Sequence, residues 1–208
     1  KVYDFIWDEF CDWYIEIAKV RTYKKDEDPV SANAALWTLK TVLTEALKLL
    51  HPYMPFITEE IFCSLQDEEE SIMVSDWPVF EEAFDFKAEE NEVEVIKNAV
   101  RNIRNLRADM NVPPSKKASV YVVSEKEEVR KVFEDSRVFF ATLGYASEVH
   151  VQADKAGIAD DAVSTVIPDA VIYMPFAELV DVEKEIARLE KEAKRLEGEI
   201  KRAKGMLS

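Results

Sequence analysis

The sequence predicts a mainly α protein: an antiparallel helical bundle, then a small α+β module, then a truncated coiled-coil helix. Three observations predict it. Apolar residues recur every three to four positions through about the first 110 residues. The period falls to two at Ala118–Val123. From Val182 to Leu207 apolar residues are spaced 4, 3, 4, 3, 4, 3, 4, an unbroken heptad seam. Only 4 of the 208 residues are Gly, which argues against a sandwich or barrel. The expected limits are 1–115 for the bundle, 116–178 for the module and 179–208 for the coiled-coil start.

The elements follow in order. Tyr3, Ile6, Phe10, Trp13, Ile17 and Val20 form one face of a first helix, widened by Trp7 and Tyr14. Asp28 is an N-cap and Pro29 a first-turn residue. They open a second helix, through Ala32, Ala35, Leu36, Leu39, Val42, Leu43, Leu47 and Leu50, which stops at His51-Pro52. A third helix runs from about Pro55 to Leu65. Residues 66–90 are irregular and acidic, with Trp77, Phe80, Phe84 and Phe86 expected as apolar anchors. A fourth helix spans about Asn91 to Met110, with a stripe of Val93, Ile96, Val100, Ile103, Leu106 and Met110, and ends at Asn111-Val112-Pro113-Pro114. A strand at 118–123 precedes a helix that Ser124 and Glu127 open as a capping box and Gly144 stops. Val149 and Val151 mark a second strand, and Ala162 to Ile167 and Ala170 to Pro175 two more, joined at Pro168-Asp169. Both ends of the chain read as cut points within a longer protein.

Formal net charge is −15, which opposes nucleic-acid binding taken as an average. The charge is uneven, however. Asp67 to Glu94 holds 12 carboxylates and one Lys, a net −11 that leaves about −4 for the rest. Arg101, Arg104, Arg107, Lys116 and Lys117 stand against Asp109 alone, a local +4. Guanidinium forks match phosphate oxygens and lysines add point charge, so these five are the candidate nucleic-acid contacts. Asn98, Asn102 and Asn105 share that surface. A solvated helix face neutralised by the acidic segment is the competing explanation. Lys24 and Lys25, with Lys19 and Arg21, form a weaker cluster that the helix dipole alone would favour. Arg188, Arg195 and Arg202 recur every seven residues and suit either a nucleic-acid backbone or ordinary coiled-coil flanks.

Trp7, Trp13, Trp37 and Trp77 are assigned to core rather than to base stacking. His51 is a cap or packing residue. Cys11 and Cys63 lie outside any CxxC pair and are expected to be buried structural thiols, which fits a reducing, cytoplasmic setting. No catalytic or metal-ligating constellation is visible, and no apolar run approaches a membrane span.

Three stretches carry a family resemblance. Leu50-His51-Pro52-Tyr53-Met54-Pro55-Phe56-Ile57-Thr58-Glu59-Glu60-Ile61 resembles the helix junction in the anticodon-binding bundle of class I synthetases for Val, Ile and Leu. Ile103-Arg104-Asn105-Leu106-Arg107, with the segment from Asn111 to Lys117, is similar to the end of that bundle in the valyl branch. Leu179-Val180-Asp181-Val182-Glu183-Lys184-Glu185, leading into the heptads, resembles the start of the carboxy-terminal arm of valyl-tRNA synthetases. The resemblance implies a region that docks tRNA(Val) and does not itself catalyse. Catalysis, with ATP and Mg, would belong to catalytic and editing domains elsewhere in the parent; their HIGH and KMSKS signatures are absent here. The equivalent region of an isoleucyl or leucyl enzyme, or a non-enzymatic coiled-coil scaffold, stays open. So does self-association through the unpartnered seam.

Overall fold

Helix α1 covers residues 2–22 without a break, but its hydrogen bonding changes along the way. It is α-helical over Val2–Asp4, π-helical over Phe5–Ile15 and α-helical again over Glu16–Thr22. In a π-helix each N–H reaches five residues back instead of four, so a three-to-four spacing no longer keeps one face. The buried residues are Phe10, Trp13 and Ala18, the last two five apart, whereas Tyr3 and Trp7 are exposed. The structure, a computed structural model, describes residues 1–66, 68–180 and 182–206; in the last helix it describes the side chains only of 186, 190–200 and 202.

The chain divides into two compact units, Lys1–Ala88 and the residues from Glu89 onward. In the first, α2 (Pro29–Leu50) packs against α1 and against α3 (Pro55–Leu65). The Asp28 side chain accepts the Ser31 amide at 3.0 Å, and Pro29 sits in the first turn, as the sequence predicts. Leu47, Phe62 and Ile72 form a buried cluster, flanked by Leu43, Ile61 and Leu65. Ile72, in a short 3-10 turn (Ile72–Val74), therefore anchors the acidic segment. The aromatic anchors expected there are not anchors: Trp77, Phe80, Phe84 and Phe86 are all exposed. Phe84 and Phe86 instead line an open apolar groove of about 820 Å³ with Val2, Phe5, Trp37 and Val42. Of the four tryptophans assigned to core, only Trp13 is buried; Trp7, Trp37 and Trp77 stand more than half exposed. Cys63 is exposed and Cys11 half-buried, so neither is the buried thiol expected. Partial desolvation and the Glu59 carboxylate push the Cys63 thiol above its ordinary value.

The second unit holds α4 (Lys87–Asp109) from Glu89 on, and a four-stranded sheet. The strands are β1 (Ala118–Val123), β2 (Ala146–Gln152), β3 (Val163–Ile167) and β4 (Ala170–Met174). Their order is β2-β1-β4-β3, with β1 parallel to β2 and the other pairs antiparallel. A parallel pair needs a crossover. It is supplied by α5 (Glu127–Asp135) and α6 (Arg137–Leu143), where one continuous helix was expected. The Ser136 hydroxyl donates back to the Val132 carbonyl at the break. One sheet face, with Val120, Val122, Ile172 and Met174, is fully buried, as are Phe133 and Phe140 on the crossover helices. The Ser124–Glu127 capping box does not form. The buried Ser124 hydroxyl donates instead to the Asp169 carbonyl at 2.6 Å, in the β3–β4 turn, and no side chain caps α5. The short α7 (Phe176–Leu179) leads to α8 (Val182–Met206). On α8, Ile186, Leu196 and Ile200 of the heptad seam are exposed. Val182, Leu189, Ala203 and Leu207 of that seam lie outside the described side chains, as do Arg188, Asp67 and Asp181.

Candidate nucleic-acid interface

The basic run sits on α4 and the loop that follows it. Helix α4 buries Ile96, Val100, Ile103 and Arg107, spaced 4, 3 and 4. Arg107 thus occupies the next position of the buried stripe, while Val93, expected on it, is exposed. Lys97 is also buried and pairs with Glu94 one turn earlier. Arg101, Arg104 and Asn105 face solvent. The Arg104 Nε donates to the Leu143 carbonyl at 2.8 Å, which ties this face of α4 to the end of α6. Asn102, expected among the surface amides, is engaged on both sides: it donates to Asn98 and accepts the Thr165 hydroxyl at 3.1 Å.

Helix α4 ends in a Schellman motif. Asn111 takes the left-handed conformation at φ 54, its amide donates to Ala108 O at 2.9 Å, and the Val112 amide donates to Arg107 O at 2.9 Å. Pro113 and Pro114 prevent the helix from continuing. The Lys116 amide then closes a turn onto Pro113 O at 3.0 Å. Lys117 is exposed and Lys116 half-exposed.

Arg107 does not share the exposed face of Arg101. It is 2% exposed. Its Nη2 donates to Pro113 O at 3.0 Å and also to Lys116 O, and its guanidinium lies 5.3 Å from the centre of the Tyr145 ring. Burial lowers its pKa, opposed by Tyr145, yet an arginine stays charged. Nη1 is buried without a hydrogen-bond partner among the described residues. Tyr145 and the Leu143 carbonyl are brought to α4 by the fold from more than 30 residues along the chain and carry no local sequence signal. The available signal was that Arg107 falls four residues after Ile103 and seven after Val100.

The weaker candidates differ in setting. Lys24 and Lys25 are exposed in the turn after α1, Lys24 lying 3.9 Å from Glu27. Arg195 is held on its own helix by Glu192 and by Glu199, the latter at 2.6 Å. Arg202 is exposed. His51 caps α2 and meets the Thr58 hydroxyl at 2.7 Å, a packing role. His150 stacks on Tyr121 at 4.7 Å. Among the described residues no group of three or more His, Cys, Asp or Glu is placed to hold a metal ion. No helix there is long and apolar enough to cross a membrane.

The basic side chains exposed on this stretch are Arg101, Arg104 and Lys117, with Lys116 half-exposed. Residues 1–122 match the family described as the anticodon-binding domain of tRNA ligase, and the chain belongs to that family. Its similarity extends further. It is 46% identical over 186 residues to the valine–tRNA ligase of Clostridium acetobutylicum, 45% to that of Clostridium tetani and 44% to that of Clostridium perfringens. Each match covers 89% of this chain and 21% of the relative, so the chain spans about a fifth of the length of these curated relatives.

Proposed function

We propose that this chain is the tRNA-docking region of a valine–tRNA ligase. One observation supports it above the others. Within the matched region, in a chain of net charge −15, Arg101, Arg104 and Lys117 are exposed cations and Lys116 is half-exposed. Phosphate contacts of this kind position a nucleic acid without reading its sequence. Arg101 and Arg104 would lie along the RNA backbone, and the two lysines would add point charge at the loop. Ligation of valine, with its need for ATP and Mg, and editing would belong to other domains of a longer cytoplasmic ligase. The sequence here has no glycine-rich phosphate loop.

The exposed Ile186, Leu196 and Ile200 on α8 favour a helical partner as well, either another segment of the ligase or a second copy. Sedimentation at two concentrations separates these, since only self-association depends on concentration.

The test of docking is binding of the chain to transcribed valine tRNA, beside an isoleucine tRNA, at two salt concentrations. Binding that weakens steeply with salt and prefers the valine tRNA is expected. Salt-sensitive binding without preference would place discrimination in another part of the ligase. No binding at low salt would overturn docking by this chain alone.

A further inference from the structure

Five hydrogen bonds shape the loop from Asn111 to Lys117, and three of them involve Arg107. Its carbonyl accepts the Val112 amide at 2.9 Å, and its Nη2 donates to Pro113 O at 3.0 Å and to Lys116 O. The other two are local, from Asn111 to Ala108 and from Lys116 to Pro113. Pro113 and Pro114 bring no N–H of their own, so the loop has few other means of fixing itself.

The position would suit an apolar residue. Ile96, Val100 and Ile103 precede it on the buried stripe. A leucine would continue that stripe without burying a charge. What the arginine adds is a rigid fork that binds two loop carbonyls at once, with its plane set over Tyr145. That benefit comes at the cost of a buried, unpaired Nη1.

We infer that Arg107 is a positioning residue for RNA docking: it never meets the RNA, and instead holds the loop so that Lys116 and Lys117 are presented together. This rests on the docking reading above. A loop fixed before binding loses less conformational freedom when the lysines engage phosphates, so its effect appears only through them.

The test is a double-mutant cycle on the 208-residue chain with transcribed valine tRNA at several salt concentrations. Lys116→Ala with Lys117→Ala should weaken binding roughly tenfold at low salt and reduce the salt slope by about 1.5, as two lost phosphate contacts would. Arg107→Leu should weaken binding in the same direction, and the combined variant should bind no more weakly than the lysine pair alone. Arg107→Lys keeps the charge but not the fork, and should fail to rescue. Hydrogen exchange at the Lys116 amide should quicken in both Arg107 variants, with the Val120 amide unchanged. Multiplicative losses, or full rescue by Arg107→Lys, would overturn the inference and leave the docking reading intact. Loss of the cooperative thermal transition in both Arg107 variants would make Arg107 a core residue only and overturn it too. If the unaltered chain does not bind, or the lysine pair is silent, the docking reading fails first and the inference with it.

Discussion

Glu59 accepts the Ile72 amide through Oε2 at 3.1 Å, thirteen residues along the chain. That contact brings the acidic segment back onto α3 and seats Ile72 beside Leu47 and Phe62. A hydrogen bond from the Ser71 side chain holds the Glu59 carboxyl below its ordinary value; the Ile72 amide adds to this, and partial desolvation opposes it. A lowered folded-state pKa contributes stability above the unfolded value, and that stability is lost as pH falls through the folded one. The Ile72 amide should therefore be protected from hydrogen exchange at neutral pH and lose protection below the ordinary Glu range, after correction for intrinsic rates. Glu59→Gln should remove the pH dependence. Protection that persists into acid would contradict this account.

Thr58 joins the two ends of the α2–α3 connection. It is fully buried, its hydroxyl donates to the Met54 carbonyl at 2.8 Å, and its oxygen meets the His51 Nδ1 at 2.7 Å. Removing the hydroxyl leaves the His51 ring nitrogen short of a partner, while the Met54 carbonyl keeps the Thr58 amide at 3.3 Å. Thr58→Val should cost about 1–3 kcal/mol in urea unfolding, and Thr58→Ser much less. Equal losses from both would mean that the methyl group's packing matters and the hydroxyl does not.

Trp13 and Trp7 test how the first helix should be read. Sequence periodicity puts both in the core, because it assumes 3.6 residues per turn. The π-helical turns of Phe5–Ile15 rotate Trp7 away, to 59% exposed, while Trp13 stays at 8%. Trp13→Ala should cost about 3–5 kcal/mol. Trp7→Ala should stay near 0.5 kcal/mol, as surface changes usually do. Three other helix limits were legible because they carry local chemistry: Asp28 and Pro29 at the start of α2, Pro55 at the start of α3, Asn111 at the end of α4. What hydrogen bonding does inside a helix leaves no such mark. The same holds for the acidic segment, where Ile72 rather than the larger aromatics finds the core.

Ser124 shows the same limit at the α+β module. Ser124 and Glu127 have the spacing of a capping box, but β1 carries Ser124 to the β3–β4 turn, and its hydroxyl goes to the Asp169 carbonyl, 45 residues away. The strands themselves were legible from alternation; this long-range partner was not. Ser124→Ala should cost about 0.5–1.5 kcal/mol, the net worth of the one hydrogen bond that the buried hydroxyl makes. Glu127→Ala should cost almost nothing in thermal unfolding. A comparable loss from Glu127→Ala would restore the cap.

Arg195 and Lys117 have the same charge and different prospects. Local sequence placed both among the candidate contacts, because it shows charge but not what already engages it. The Glu192 side chain raises the Arg195 pKa, with Glu199 adding to it, and the pair of carboxylates holds the guanidinium on the face of α8. A phosphate would have to displace both, and the carboxylates would repel it. Lys117 is exposed at the end of a fixed loop, with Arg107 and the Pro113 turn behind it. Lys117→Ala should therefore weaken valine tRNA binding several-fold at low salt and lower the salt slope by about 0.7–0.9. Arg195→Ala should leave the slope unchanged within error. If instead Arg195→Ala lowers the slope and Lys117→Ala does not, the docking surface lies along α8, and the basic face of α4 is a solvated helix surface.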